Sequence, residues 1–155
     1  MNLRLNCASH LLTLQQTIPT LEQSKTLRIA KQIDAQGRQP LELARTRSLH
    51  YSVENLEGMS RLAEMGRSVG VDLWSWSDSN SAGIRGALDF VAPYADPKRK
   101  WPHDQITEEP ADLFVLLLQR ATSAFPDRTY ASYLRALPAD LVRTHRAQLL
   151  YPMPK

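Results

Sequence analysis

The chain has 155 residues, of which 43% are hydrophobic and 23% charged, and its formal net charge is +3. That length fits one domain with its own core, and so mild a basic excess permits a polyanionic ligand without the dense basic stripe of a nucleic-acid binder. Cys7 is the single cysteine, which excludes an intrachain disulfide, and the longest apolar run, residues 113–118, is far short of the roughly 20 residues of a membrane span.

In chain order, residues 1–14 lack the continuous apolar core and small-residue cleavage site of a signal peptide, so the chain is expected to stay in the cytoplasm. Residues 20–35 read as a helix with Thr20 as its cap and Leu21, Leu27, Ile29, Ala30 and Ile33 as its apolar stripe. Gly37 and Pro40 end it and begin a turn. Residues 49–69 form the clearest helix: Leu49, Val53, Leu56, Met59, Leu62, Ala63 and Met65-Gly66 recur at steps of three and four, and Gly70 suits the C-terminal cap. An aromatic connector, residues 71–76, and a polar loop, residues 77–81, follow. Ser81 is then expected to cap a helix reaching Ala95, which Pro93 kinks or ends. Residues 96–110 carry three prolines, Trp101 and the one tight basic run, Lys98-Arg99-Lys100, and read as irregular solvated chain. Residues 111–125 are helical again, Pro126-Asp127 opens a short helix with Tyr130, Tyr133, Leu134 and Leu137, and Pro138 opens the last, carrying Leu141, Val142 and Leu149. No stretch alternates long enough for a strand. The expected fold class is all-α, built from successive antiparallel helix pairs.

Chemistry-bearing residues concentrate in one place. Arg45, Arg47, His50 and Tyr51 fall within seven consecutive positions, the residue types needed to hold an acidic sugar and to move a proton on it. Each also has a plainer reading: Tyr51 as a core-rim tyrosine, the two arginines as solvated residues near a helix start, His50 as a surface histidine. Trp74, Trp76 and Trp101 either stack on sugar rings or fill gaps between helices. Glu42 and Asp72 are a conceivable carboxylate pair for hydrolysis, although Asp72 reads better as a turn residue. In a continuous helix Arg45 and Tyr51 would lie about 120° apart around the axis. They converge if residues 40–47 are non-helical and the helix begins near Ser48. Arg47 and Tyr51, four apart, would share a helix face, which makes Arg47 the reserve partner. His10, His50, His103 and His145 are too dispersed to indicate a zinc site.

The order Arg28-Ile29, Gln32-Ile33, Gly37, Gln39-Pro40, Glu42, Arg45-Thr46, Ser48-Leu49, Tyr51-Ser52, Asn55-Leu56 resembles the C-terminal part of alginate lyase-type polysaccharide lyases. Gly70-Val71-Asp72-Leu73-Trp74, Ala87-Leu88-Asp89-Phe90, Pro93-Tyr94, Trp101-Pro102 and Gln105-Ile106 extend the resemblance, which runs from about Thr26 to Pro138. It implies an incomplete α/α toroid of antiparallel helix pairs around a cleft, and cleavage of uronic-acid polysaccharide by β-elimination with no metal or organic cofactor. Tyr51 matches the family's catalytic tyrosine and Arg45 the arginine just upstream; Arg47 and His50 are the substrate-binding candidates. A phenol, with an ordinary pKa of about 10, is a poor base at neutral pH, and a neighbouring guanidinium favours its charged form.

The chain departs from the family pattern in two ways. No Asn-Asn-His element, the family's source of a carboxylate neutraliser and an assisting histidine, occurs anywhere, and Glu54 stands where an apolar or aromatic residue is expected. The resulting expectation is a poorly matched segment 1–25, a C-terminal toroid portion 26–150 and a loose tail 151–155. Together they would form a truncated lyase, weakly active or inactive alone, whose full-length relatives would be periplasmic or secreted. Its expected partner is an acidic polysaccharide, with no nucleic acid or membrane, and with self-association through an exposed helix face. The competing readings are a non-catalytic helical remnant or acidic-glycan-binding module, and a glycoside hydrolase on a similar toroid.

Overall fold

A computed structural model describes residues 16–152, and within them every regular element is a helix, apart from one isolated antiparallel bridge between Arg47 and Gln105. Helix α1 covers residues 16–32, with a π turn at Lys25–Ile29 and a last α turn at Ala30–Gln32. It continues through residues 25 and 26 without a break. Thr20 does not cap it. The helix is already running at that point, and the Thr20 hydroxyl donates to the Gln16 carbonyl at 2.8 Å, the back-bond of an interior threonine. Leu21, Ile29 and Ile33 are buried, but Leu27 is 56% exposed, a correction to the expected stripe. Two residues before Ile29, it leaves the helix on the opposite side.

The turn after α1 is built on Asp34, whose carboxylate accepts from the amides of Gln36 and Arg38 and from the Arg38 side chain. Gly37 sits there at φ +75°, and a Cβ on it would lie 2.1 Å from the Gly86 carbonyl oxygen, so backbone packs on backbone. Helix α2 is a single turn, Pro40–Leu43, with proline at its first position, where a missing N–H costs nothing. The chain leaves helical geometry and re-enters it as α3, Ser48–Ser68. Leu49, Val53, Leu56, Met59, Ala63 and Gly66 form its buried face, while Met65, expected inward, is 52% exposed. Gly70, at φ +80°, ends α3: the Val71 amide donates to the Gly66 carbonyl at 2.8 Å, closing a left-handed cap.

The aromatic connector that follows is structural. Trp74 is buried, edge-on to Phe125 at 5.8 Å, and the Asp72 carboxylate accepts from the Ser75 amide. Helix α4, Ile84–Val91, starts from Gly83 and not from a Ser81 cap. Ser81 is held at φ +67° in a loop organised by the Asp78 carboxylate, which accepts from the amides of Asn80 and Ala82. Pro93 ends α4 as expected, in a 3-10 turn Ala92–Ala95. After the irregular residues 96–110, a 3-10 turn Ala111–Phe114 leads into α5, Val115–Ala124, then α6, Tyr130–Ala136, α7, Ala139–Thr144, and a final 3-10 turn Arg146–Leu149. Leu149, in that last turn, is 87% exposed.

Helix α3 is the hub. It packs against α2, α4 and α5, and α5 in turn packs against α6. The core runs through Val53, Leu56, Leu73, Ile84, Leu88, Leu117, Leu118 and Leu134, all at most 1% exposed. The fold is an all-α arc of antiparallel helix pairs, of the alginate lyase toroid type. Among the described residues no helix is long and apolar enough to cross a membrane.

Candidate active site

Arg45 lies in the break between α2 and α3, and Tyr51 in the first turn of α3. Because residues 44–47 are not helical, the 120° separation of a continuous helix does not apply. The Arg45 guanidinium carbon sits 3.4 Å from the centroid of the Tyr51 ring, stacked on its face. The Arg45 side chain is half exposed and its nearest carboxylate, Glu42, is 3.7 Å away, which leaves N–H groups for an incoming anion. Tyr51 is half-buried, and its hydroxyl has no hydrogen-bond partner among the described residues.

Arg47 and His50 are brought together at a different point. Arg47 lies just outside the helix, at φ −121° and ψ 56°, so the four-residue spacing does not aim it at Tyr51. Its guanidinium instead grips Glu109, with Nε 3.1 Å from Oε1 and Nη2 2.9 and 3.0 Å from the two oxygens. The His50 Nδ1 is 2.9 Å from Glu109 Oε2 and its Nε2 is 3.3 Å from Glu54 Oε1, while its ring meets Tyr51 edge-on at 5.4 Å. Gln105 Nε2 donates to Glu109 Oε1 at 2.8 Å. The Glu109 side chain is only 3% exposed. Burial alone would raise its pKa, but hydrogen bonds from Arg47 and His50 and their charges outweigh burial and hold the carboxyl below its usual range. Sequence reasoning missed Glu109. It lies in a proline-rich irregular stretch about sixty residues downstream, and nothing in that stretch marks it.

The same stretch caps α3. The Asp104 carbonyl accepts from the Ser48 amide at 3.1 Å and from its hydroxyl at 2.6 Å, and Gln105 Oε1 accepts from the Leu49 amide at 3.0 Å. These are among the free donors of a helix start. Trp101 donates its indole N–H to the Ser48 hydroxyl at 2.7 Å and packs among Phe90, Tyr94 and His103. It is 9% exposed, and Trp74 is 4% exposed. Both fill gaps between helices and present no face to a sugar. The conceived carboxylate pair does not form: Glu42 faces Arg45 and Asp72 closes its own turn. Beside Arg47 and His50 lies a cleft of about 300 Å³ with Glu54, Glu57, Asp112 and His145 in its wall; Tyr51 does not line it. Among the described residues no group of three or more His, Cys, Asp or Glu is placed to hold a metal ion.

The sequence profile of the alginate lyase family matches residues 11–101, a span that holds Arg45, Arg47, His50 and Tyr51. The chain belongs to the alginate lyase family. A crystal structure of an alginate lyase from Bacteroides ovatus is similar to it, with a TM-score of 0.79 and 28% sequence identity over 88% of this chain and 36% of that one. The chain therefore spans about a third of the length of that alginate lyase. No curated protein matches it. Within the family's fold, the segment from Gln39 to Asn55 is the part of this chain where charged and polar side chains converge on one helix start.

Proposed function

We propose that this member of the alginate lyase family acts on a uronic-acid polysaccharide, alginate or a related polyuronate, by β-elimination, with Tyr51 and Arg45 as the reacting pair. Family membership supports the class of chemistry. The observation that carries the finer reading is the Arg45 guanidinium stacked 3.4 Å above the Tyr51 ring, beside a hydroxyl without a partner among the described residues. In this reading Arg45 receives the C5 carboxylate through its free N–H edge, so that the C5 proton becomes more acidic. Tyr51, reacting as its phenolate, takes that proton and becomes the neutral phenol. The electron pair becomes the C4–C5 double bond, and O4 departs with a proton returned by the same phenol or by water. Arg47 and His50, already held by Glu109, are assigned to a neighbouring sugar and not to the reacting one.

Because the chain has no Asn-Asn-His element, its own turnover is expected to be slow: removing members of a catalytic group that acts as a unit commonly costs orders of magnitude. The test is to incubate the chain with alginate or polyglucuronate and follow the ultraviolet absorbance of the unsaturated product. Product should form slowly with the wild type and not at all with Tyr51→Phe. Undiminished product from Tyr51→Phe removes that tyrosine from the mechanism. The missing element also favours a second reading, a module that binds acidic glycans without cutting them. Calorimetric titration with oligouronates distinguishes the two, since heat of binding without product supports the module.

A further inference from the structure

Arg45 sits in the non-helical break and Tyr51 on the helix that follows, and a solvent-exposed stacking contact is too weak to set that geometry unaided. We infer that Gln39 is a positioning residue whose buried side-chain amide seats Arg45 over Tyr51. Gln39 is 1% exposed, and both ends of its amide are satisfied. Its Nε2 donates to the Ser52 carbonyl at 2.9 Å, and its Oε1 accepts from Asn55 Nδ2 at 2.7 Å. Asn55 Nδ2 also donates to Gln32 Oε1 at 3.0 Å, which ties in the end of α1. The two α3 residues that Gln39 grips both follow the phenol closely: Ser52 comes directly after Tyr51, and Asn55 lies one turn farther along the face that carries Tyr51.

The backbone of Gln39 works at the other end. Its carbonyl accepts from the amides of Glu42 at 3.0 Å and Leu43 at 2.9 Å, so it starts the α2 turn, and the Arg45 amide then donates to the Glu42 carbonyl at 3.1 Å. Pro40, with its locked φ, leaves little slack between the grip and Arg45. One residue thus fixes the rotation of α3 relative to the turn that carries the guanidinium. An apolar side chain of equal size would fill the space but would not define that rotation, because hydrogen bonds are directional and packing is not.

The positioning claim concerns geometry, and only its catalytic meaning rests on the proposed lyase reading. The test uses the full chain with labelled arginine. The δ protons of Arg45, stacked on an aromatic face, should be shifted upfield by the ring current, and Tyr51→Leu should abolish that shift and so identify the signal. In Gln39→Leu and in Asn55→Ala most of the shift should disappear while far-UV helicity is kept. In any sample with lyase activity, kcat should fall more than KM rises. An unchanged Arg45 shift in either folded variant overturns the inference, and if Gln39→Leu does not fold, the half-buried Asn55→Ala decides. Loss of the shift in a protein whose wild type makes no unsaturated product supports the positioning role and overturns only the lyase chemistry.

Discussion

Glu109 and Glu57 show how environment sets the sign of a carboxylate's contribution. Glu109, nearly inaccessible, is held ionised by Arg47 and His50. A carboxyl with a depressed folded-state pKa adds stability that is fully present above its unfolded value and is lost as pH falls through the folded value. Glu109→Gln should therefore lower stability at neutral pH, by about 1–2 kcal/mol once the partial exposure of Arg47 is discounted. The difference from wild type should shrink below about pH 4, as chemical denaturation across pH would measure. Glu57 has the opposite sign: burial raises its pKa, and Arg120 and Arg61 only partly oppose that. Its ionised form is disfavoured in the fold, so Glu57→Gln should stabilise the protein above its unfolded pKa and make no difference well below it. At this scale the approach of Arg45 to Tyr51 was legible only as a condition, since their spacing allows it only where the helix begins near Ser48. The occupation of Arg47 and His50 by Glu109 was not, because a partner about sixty residues away in an irregular segment leaves no local trace.

At the scale of elements, the decisive feature is the interruption between α2 and α3. Local chemistry announces it in part: Pro40 favours a helix start, and the apolar steps of α3 begin at Leu49. Two close approaches test the element packing. Gly37→Ala should destabilise by about 2–4 kcal/mol in urea unfolding, since it strains a positive φ and drives a methyl group into the Gly86 carbonyl. Tyr130→Phe removes the 2.6 Å bond from a buried hydroxyl to Asp89, across α4 and α6, and should cost about 1–2 kcal/mol in the same measurement. Where the expected boundaries failed, the competing element was tertiary or non-periodic. Ser81 lost its capping role to the loop ordered by Asp78, and the last helix ended at Thr144, short of Leu149, which lies in a 3-10 turn.

For the whole molecule, the net charge of +3 offers only mild long-range attraction for a polyanion. Binding of oligouronates to the chain should therefore be weak and should weaken further as ionic strength rises past about 0.1 M, where screening shortens to about 10 Å. A neutral oligosaccharide of equal length should give no heat. Salt-independent binding would place recognition on contacts other than the exposed guanidinium of Arg45.

The sequence by itself determined the helical class, the long α3, the ends set by Gly70 and Pro93, and the cluster of Arg45, Arg47, His50 and Tyr51, because periodicity, backbone conformation and residue type are local properties. Only the tertiary structure decided which member of that cluster meets which partner. Arg45 reaches Tyr51, while Arg47 and His50 turn to Glu109, because those choices follow from the rotation of one helix against its neighbours and from charges brought together by folding.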